Sequence, residues 1–207
     1  MKLYYSDVLS PRKACAVAKY LQAPVEYVFL DLGRGQHRKP DYLAINPNGK
    51  VPTLIDGELT LWEADAIMCH LALRAGSDLW PQDERQIDIV RWFSWDLQHF
   101  SRHAGALYFE NIIKARFGLG DPDPRAVEQA QQEFRRCAAV LDAHLQGRRW
   151  LVGDELSVAD FAVAVALPHA ERARIPLQEF PHVRKWHDRL GEMEAWRAPF
   201  PDVVETA

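Results

Sequence analysis

Three short segments of this chain carry side chains that could act on one ligand. Asn46-Pro47-Asn48-Gly49-Lys50-Val51-Pro52-Thr53-Leu54 is a loop running into a strand, with a proline where a ladder donor belongs. Such a proline places the strand at an edge or bends it. A bend at Pro52 turns the Val51 N–H and C=O outward, where they can pair with an extended peptide by β-augmentation; an ordinary edge-strand proline is the simpler structural reading. Nine residues on, Glu63-Ala64-Asp65-Ala66-Ile67 opens a helix. Helix-start N–H groups bind carboxylates, and Glu63 beside them suits an amino group, so a γ-glutamyl moiety matches both. Acids placed there only for the helix dipole are the plain alternative. Ser10 followed by Pro11 reads as an N-cap with proline at the first helical position. The same geometry lets the hydroxyl donate to a thiolate while the helix dipole stabilises the charge. His37 and Lys50 lie in or beside loops, within range of a second carboxylate. A small anionic peptide fits this set of residues better than a hydrophobic core does.

Other candidates weigh less. His99 and His103 are four apart on a helical pattern, which is metal-ligand spacing, but Phe100 stands where the zinc-protease motif needs Glu, and no metal is expected. Trp92, Trp95, His99, His103 and Tyr108 share one helical stretch that could face a flat or apolar second substrate; equally, the tryptophans could be core. Cys15, inside the first helix, is expected to be buried and inert.

Those residues need elements to hold them. Residues 2–6 and 25–30 are rich in aromatic and branched side chains, hence strands. Between them Ala14, Val17, Ala18 and Leu21 keep helical spacing over residues 10–22. A loop over 33–40 leads to a helical turn over 41–46. Strands at 51–55 and 59–62 form a hairpin through Asp56-Gly57, and a helix over 64–75 places Ile67, Leu71 and Ala75 on one face. The order is βαβαββα. Turn formers crowd residues 76–83, and everything beyond reads as helix. Ile87, Val90, Phe93, Leu97 and Phe100 mark one apolar face; after a Gly/Pro break at 118–124, Val127, Ala130, Phe134, Cys137, Leu141 and Leu145 mark another. Ser157-Val158-Ala159-Asp160 is a capping signal for a helix whose residues 161–167 are apolar on all sides, which predicts a central position. The expected domains are 1–76 and 85–207, an α/β unit and an all-α helical bundle, joined by a linker at 77–84.

Bulk properties narrow the function classes. The 207 residues are 48% hydrophobic and 26% charged, ordinary for a globular protein. A net charge of −4 argues against a nucleic-acid surface. No apolar run reaches the length of a membrane span. Three scattered cysteines fit a reducing compartment, so the expected location is cytoplasmic.

Taken in order along nearly the whole chain, these motifs resemble the glutathione S-transferase superfamily, in particular its bacterial-type cytosolic delta-, theta- and beta-like classes. Asn46 to Pro52 matches the recurring Asn-Pro-x-x-x-Val-Pro signature, Glu63–Ile67 is similar to the family's Glu-Ser-x-Ala-Ile segment, and Leu156–Asp160 matches the capping motif of its helical half. The resemblance implies a thioredoxin-like N-terminal domain, glutathione as co-substrate without a metal, and a homodimer. It implies that Pro52 is cis, that Val51 holds the cysteinyl backbone, that Glu63 and the Ala64 N–H hold the γ-glutamyl end, and that His37 and Lys50 face the glycine carboxylate. Ser10 takes the thiol-activating position; a one-residue gap in the loop leaves Tyr5 and Ser6 as alternatives. His99, His103 and Tyr108 are the candidates for a second, electrophilic or hydrophobic substrate. Ala64 departs from the family serine, and losing one hydrogen bond to a charged group costs roughly 1.5–3 kcal/mol. That departure keeps open a scaffold protein that has lost turnover. A glutathione-dependent reductase, dehalogenase or isomerase is the other alternative, with the reductase disfavoured by the lack of Cys at position 10.

Overall fold

The computed structural model describes residues 1–201. Its first unit opens with β1 (Lys2–Tyr5), α1 (Leu9–Tyr20) and β2 (Glu26–Phe29). Next come the single turn α2 (Pro40–Leu43), β3 (Thr53–Asp56), β4 (Leu59–Trp62) and α3 (Ala64–Arg74). The four strands make one sheet in the order β2-β1-β3-β4, with β2 parallel to β1 and the other pairs antiparallel. Alternation along β1 buries Leu3 and Tyr5 on one face. The buried Ala14, Val17 and Ala18 of α1 pack beside α3, which buries Ile67, Met68 and Leu71. The expected face of α3 holds except at Ala75, which is exposed beyond the helix end.

β3 corrects one expectation. It is an internal strand, so Pro52 is not an edge-strand residue; the ladder begins at Thr53, and Val51-Pro52, joined by a cis peptide, lies outside it. A proline just before the first ladder residue removes no sheet donor.

The second unit, Asp78–Glu192, is helical. One long run comprises α4 (Arg85–Trp95), α5 (Ser101–Tyr108) and α6 (Lys114–Phe117), joined by π-helical turns at Asp96–Phe100 and Phe109–Ile113. It is followed by α7 (Pro124–Leu145), α8 (Val158–Val163), α9 (Ala170–Ala173) and α10 (Pro181–Gly191). The apolar face expected on α4 is displaced. Ile87, Val90 and Leu97 are exposed, while Ile89, Trp92, Asp96 and Phe100 are buried. On α7 the expected face is right except that Ala138 is buried in place of Cys137.

Residues 158–167 are buried throughout, as expected of a central segment. Asp160 is 0% exposed, and its carboxylate accepts from Ser157 N (2.9 Å), Ser157 Oγ (3.1 Å), Leu151 N (3.0 Å) and Trp186 Nε1 (2.8 Å). One side chain thereby caps α8, pins the preceding loop and anchors α10.

The chain then returns to the first unit, correcting the expected 85–207 domain. Residues 193–201, including the short α11 (Glu194–Arg197), belong with residues 1–77. Trp196 is 1% exposed there, covered by the Arg12 guanidinium 5.0 Å from its ring, and that burial outweighs continuity with the helical unit. Among the described residues no helix is long and apolar enough to cross a membrane.

Replacing Asp160 with Ala leaves several buried donors without an acceptor and should cost about 3–5 kcal/mol, read as a lower urea midpoint. Burial pushes this carboxyl up from 3.8 to about 6, against the pull of its donors. Between those values the folded state holds a proton that the unfolded chain releases, so this group's contribution to stability falls as pH rises from about 4 to 6. Asp160→Asn should flatten that slope in urea titrations run across the same window.

Candidate functional site

The Asn46–Pro52 turn is held from beneath by buried polar side chains. Asn46, 1% exposed, donates from Nδ2 to the Lys50 carbonyl (2.9 Å) and to Thr53 Oγ1 (2.9 Å), while its Oδ1 accepts from Asn48 N (3.0 Å). The Tyr42 hydroxyl, four residues earlier on α2, donates to the same carbonyl at 2.6 Å and lies 2.8 Å from Thr53 Oγ1. Gly49 closes the turn at φ +57°, where a Cβ would meet the His37 carbonyl oxygen and Leu43 Cδ2, each at 3.2 Å. A side chain at position 49 would be strained by the backbone conformation and would press on both neighbours.

This turn forms one wall of an open groove of about 480 Å³. Asn48, Gly49, Lys50 and Val51 line it, facing Leu32, His37 and Arg38 from the loop after β2, Leu43 from α2, and Val8 at the mouth of α1. Of the residues singled out in the sequence, His37, Lys50 and Val51 stand in this groove. Pro52 is buried next to Val51. Register brings Glu63 alongside: Thr53 pairs with Trp62 across β3 and β4, so the residue after Trp62 comes level with Pro52. Glu63 is the N-cap of α3, exposed, at φ +72° and ψ +120°. A non-glycine residue held there stores about 1–3 kcal/mol, a pattern found at ligand clamps. Ala64 behind it is buried and begins the helix. Lys13 Nζ and Asp65 Oδ1, 3.1 Å apart and almost buried, tie the second turn of α1 to the first turn of α3.

The start of α1 differs from expectation. Val8, with extended backbone, is the N-cap; Leu9 and Ser10 are the first two helical residues and Pro11 the third. Ser10 is therefore not the cap. Because Arg12 N already donates to the Val8 carbonyl (3.2 Å), Pro11 removes a donor from the first turn, leaving the Leu9 and Ser10 N–H groups and an exposed Ser10 hydroxyl at the positive helix end. Burial separates the alternatives. Ser6 is 1% exposed and Tyr5 4%, with the Tyr5 ring packed on Tyr27 and Phe29 and its phenol pushed up by burial. Burial, and then the neighbouring Arg38, lower the His37 pKa, so at neutral pH it is a neutral hydrogen-bonding group beside the cations Arg38 and Lys50. Cys15 is fully buried with its thiol pushed up to about 12, as expected of an inert core cysteine.

In the second unit His99 and His103 line a separate groove of about 280 Å³ with Trp95, Glu133 and Cys137. Tyr108 does not join them: it is buried, with its ring 5.0 Å from that of His169. Trp92 is core, packed on His144. The three residues proposed for a second substrate thus do not share one surface, because the intervening turn of α5 rotates Tyr108 away from the histidine face. Among the described residues no group of three His, Cys, Asp or Glu side chains is placed to hold a metal ion.

Sequence reasoning missed the Tyr42–Asn46–Thr53 network and the lining residues Val8, Arg38 and Asn48. Tyr42 and Asn46 are four apart on a helical turn, a spacing that could have paired them. Nothing local marked Val8.

Comparison with known proteins identifies the family and the fold. The family model for the glutathione S-transferase N-terminal domain matches residues 2–73, and that for the C-terminal domain matches 104–194. Glutathione S-transferase 3 of Zea mays is 33% identical over 202 residues, spanning 93% of this chain and 90% of the plant protein. The disulfide-bond oxidoreductase YfcG of Escherichia coli is 28% identical over 93% of this chain and 91% of its own. Among solved structures, the glutathione transferase URE2P6 of Phanerochaete chrysosporium in complex with oxidized glutathione superposes with a TM-score of 0.83 at 27% identity, covering 96% of this chain and 93% of that one.

Asn46→Ala should destabilise the protein by about 1–3 kcal/mol by removing acceptor and donor from a buried network. Amide exchange should accelerate over residues 48–53 more than in α3, which hydrogen-exchange mass spectrometry resolves.

Proposed function

The chain belongs to the glutathione S-transferase family, and from that premise we propose that it is a glutathione transferase that binds the tripeptide along the Val51 turn and activates its thiol at Ser10. The observation that supports this reading is the groove in which His37, Lys50 and Val51 stand together with Val8 at the mouth of α1, beside the β3–β4 register that brings Glu63 level with Pro52. In this reading Val51 pairs with the cysteinyl backbone beside Pro52. Glu63 takes the γ-glutamyl amino group and the Ala64 N–H its carboxylate. Lys50 takes the glycine carboxylate by charge, with His37 as a neutral donor next to it.

The chemistry follows from the position of Ser10. Free glutathione is mostly protonated at neutral pH, and only the thiolate is a strong nucleophile. The Ser10 hydroxyl donating to sulfur, together with the first-turn N–H groups, stabilises the anion, so the thiol proton leaves to solvent. The thiolate sulfur then forms a bond to an electrophilic carbon of a small hydrophobic substrate, whose leaving group departs with the bonding electron pair. We further read the protein as a cytoplasmic homodimer, acting without a metal and without a nucleic-acid or membrane partner; light scattering at twice the chain mass checks the dimer.

Calorimetric titration with glutathione tests the site. Micromolar to millimolar binding should weaken about 10- to 100-fold in Glu63→Ala, the equivalent of one lost charged hydrogen bond. Absence of binding at several millimolar would instead favour a scaffold in which Ala64 has closed the chemistry. Ser10→Ala should bind glutathione with little change yet raise the pKa of the bound thiol, followed by thiolate absorbance in the ultraviolet. An unchanged titration removes Ser10 from the mechanism.

A further inference from the structure

The returning segment around α11 grips both ends of the loop that presents Ser10. On the near side, the ring of Phe200 stacks on Tyr5, the last residue of β1, with centroids 5.9 Å apart and planes at 17°. On the far side, Arg12, two residues beyond Ser10 and 6% exposed, donates from Nη2 to the Trp196 carbonyl while its guanidinium lies over the Trp196 ring. Further along α1, Lys19 Nζ donates to the Ala198 carbonyl (2.9 Å) and pairs with Glu194 Oε1 (3.0 Å). Between Tyr5 and Arg12 lie only the loop and the first turn of α1. Ser10 itself is exposed in the first turn of α1, whose N-cap Val8 makes no side-chain capping bond.

We infer that residues 193–200 act as a strap whose Trp196 and Phe200 are positioning residues for Ser10, holding β1 and α1 at the separation that aims the hydroxyl at the ligand. The inference rests on the thiol-activating role of Ser10 proposed above. A hydroxyl serves a thiolate only within hydrogen-bond range, and a displacement of about 1 Å in such a group can cost on the order of 100-fold in rate. The contacts of the strap are divided between the two elements that meet at Ser10, so loosening it lets the loop shift without unfolding the sheet. Glu63, Lys50 and Val51 are held by other contacts, so binding of the tripeptide should survive that shift.

Phe200→Ala tests this, because Phe200 sits at the rim rather than in the centre of the core. The variant should lose about tenfold in kcat with 1-chloro-2,4-dinitrobenzene as electrophile, keep its KM for glutathione within about twofold, and raise the pKa of the bound thiol. Phe200→Tyr, which keeps the stacked ring, should restore all three. Amide exchange at Arg12–Ala14 should accelerate in Phe200→Ala while α3 stays protected. Wild-type kcat, thiol titration and exchange rates in Phe200→Ala would overturn the strap and leave the assignment of Ser10 intact. If the unaltered protein forms no thiolate, the role of Ser10 fails and the strap's catalytic role with it.

Discussion

The carbonyl of Lys50 is the point on which the candidate site depends. Two donors from one helical turn, the Tyr42 hydroxyl and the Asn46 amide, converge on it in a buried setting. Each such bond contributes only about 1 kcal/mol net, but leaving any of these groups unpaired in the interior costs more. The cost of alternatives therefore fixes the turn. With that carbonyl held inward, the chain crosses Val51-Pro52 outside the sheet and enters the ladder at Thr53, whose hydroxyl belongs to the same network. The groove wall, the entry into β3 and, through β4, the placement of Glu63 all follow from one acceptor.

The helical unit relies on the same device, with a charged acceptor in place of a carbonyl. There a single acceptor, the Asp160 carboxylate, collects donors from the loop, the start of α8 and the indole of Trp186 on α10. In both units a buried polar side chain, Asn46 in one and Asp160 in the other, is satisfied several times over. Such networks favour one arrangement strongly because partial satisfaction is worse than none.

What could be read from the sequence was local. The Asp56-Gly57 hairpin, the proline before β3 and the Ser157–Asp160 capping pair each declare themselves within a few residues, and the family resemblance rested on the last two together with the Glu63–Ile67 segment. Phase and long-range contact were not legible. The run after residue 85 carries two apolar stripes offset by two residues, one starting Ile87/Val90 and one starting Ile89/Trp92; periodicity cannot choose between them, and the π-helical turn shifts the phase so that Phe100, expected with the first, is buried with the second. The buried stripe even contains Asp96, whose carboxylate accepts from Ser101 Oγ at 2.7 Å, a pairing across the π turn that a hydrophobicity count treats as an error. Ser10 was placed at the cap, because Ser-Pro fits a helix start two residues later than the observed one at Val8. The grouping of Tyr108 with the histidines failed for the same reason of phase.

The first unit is assembled from two separated stretches of chain, and Arg12 meets Trp196 at a sequence separation of 184. During synthesis the sheet and its helices emerge early, yet the residues that cover Arg12 and Tyr5 are made only after the whole helical unit. A nascent chain therefore carries an incomplete first unit, with a cation and an aromatic surface uncovered, until late in translation. Completion of the site is in effect coupled to the helical unit having been made, so a chain cut short within that unit would lack the segment that closes the first.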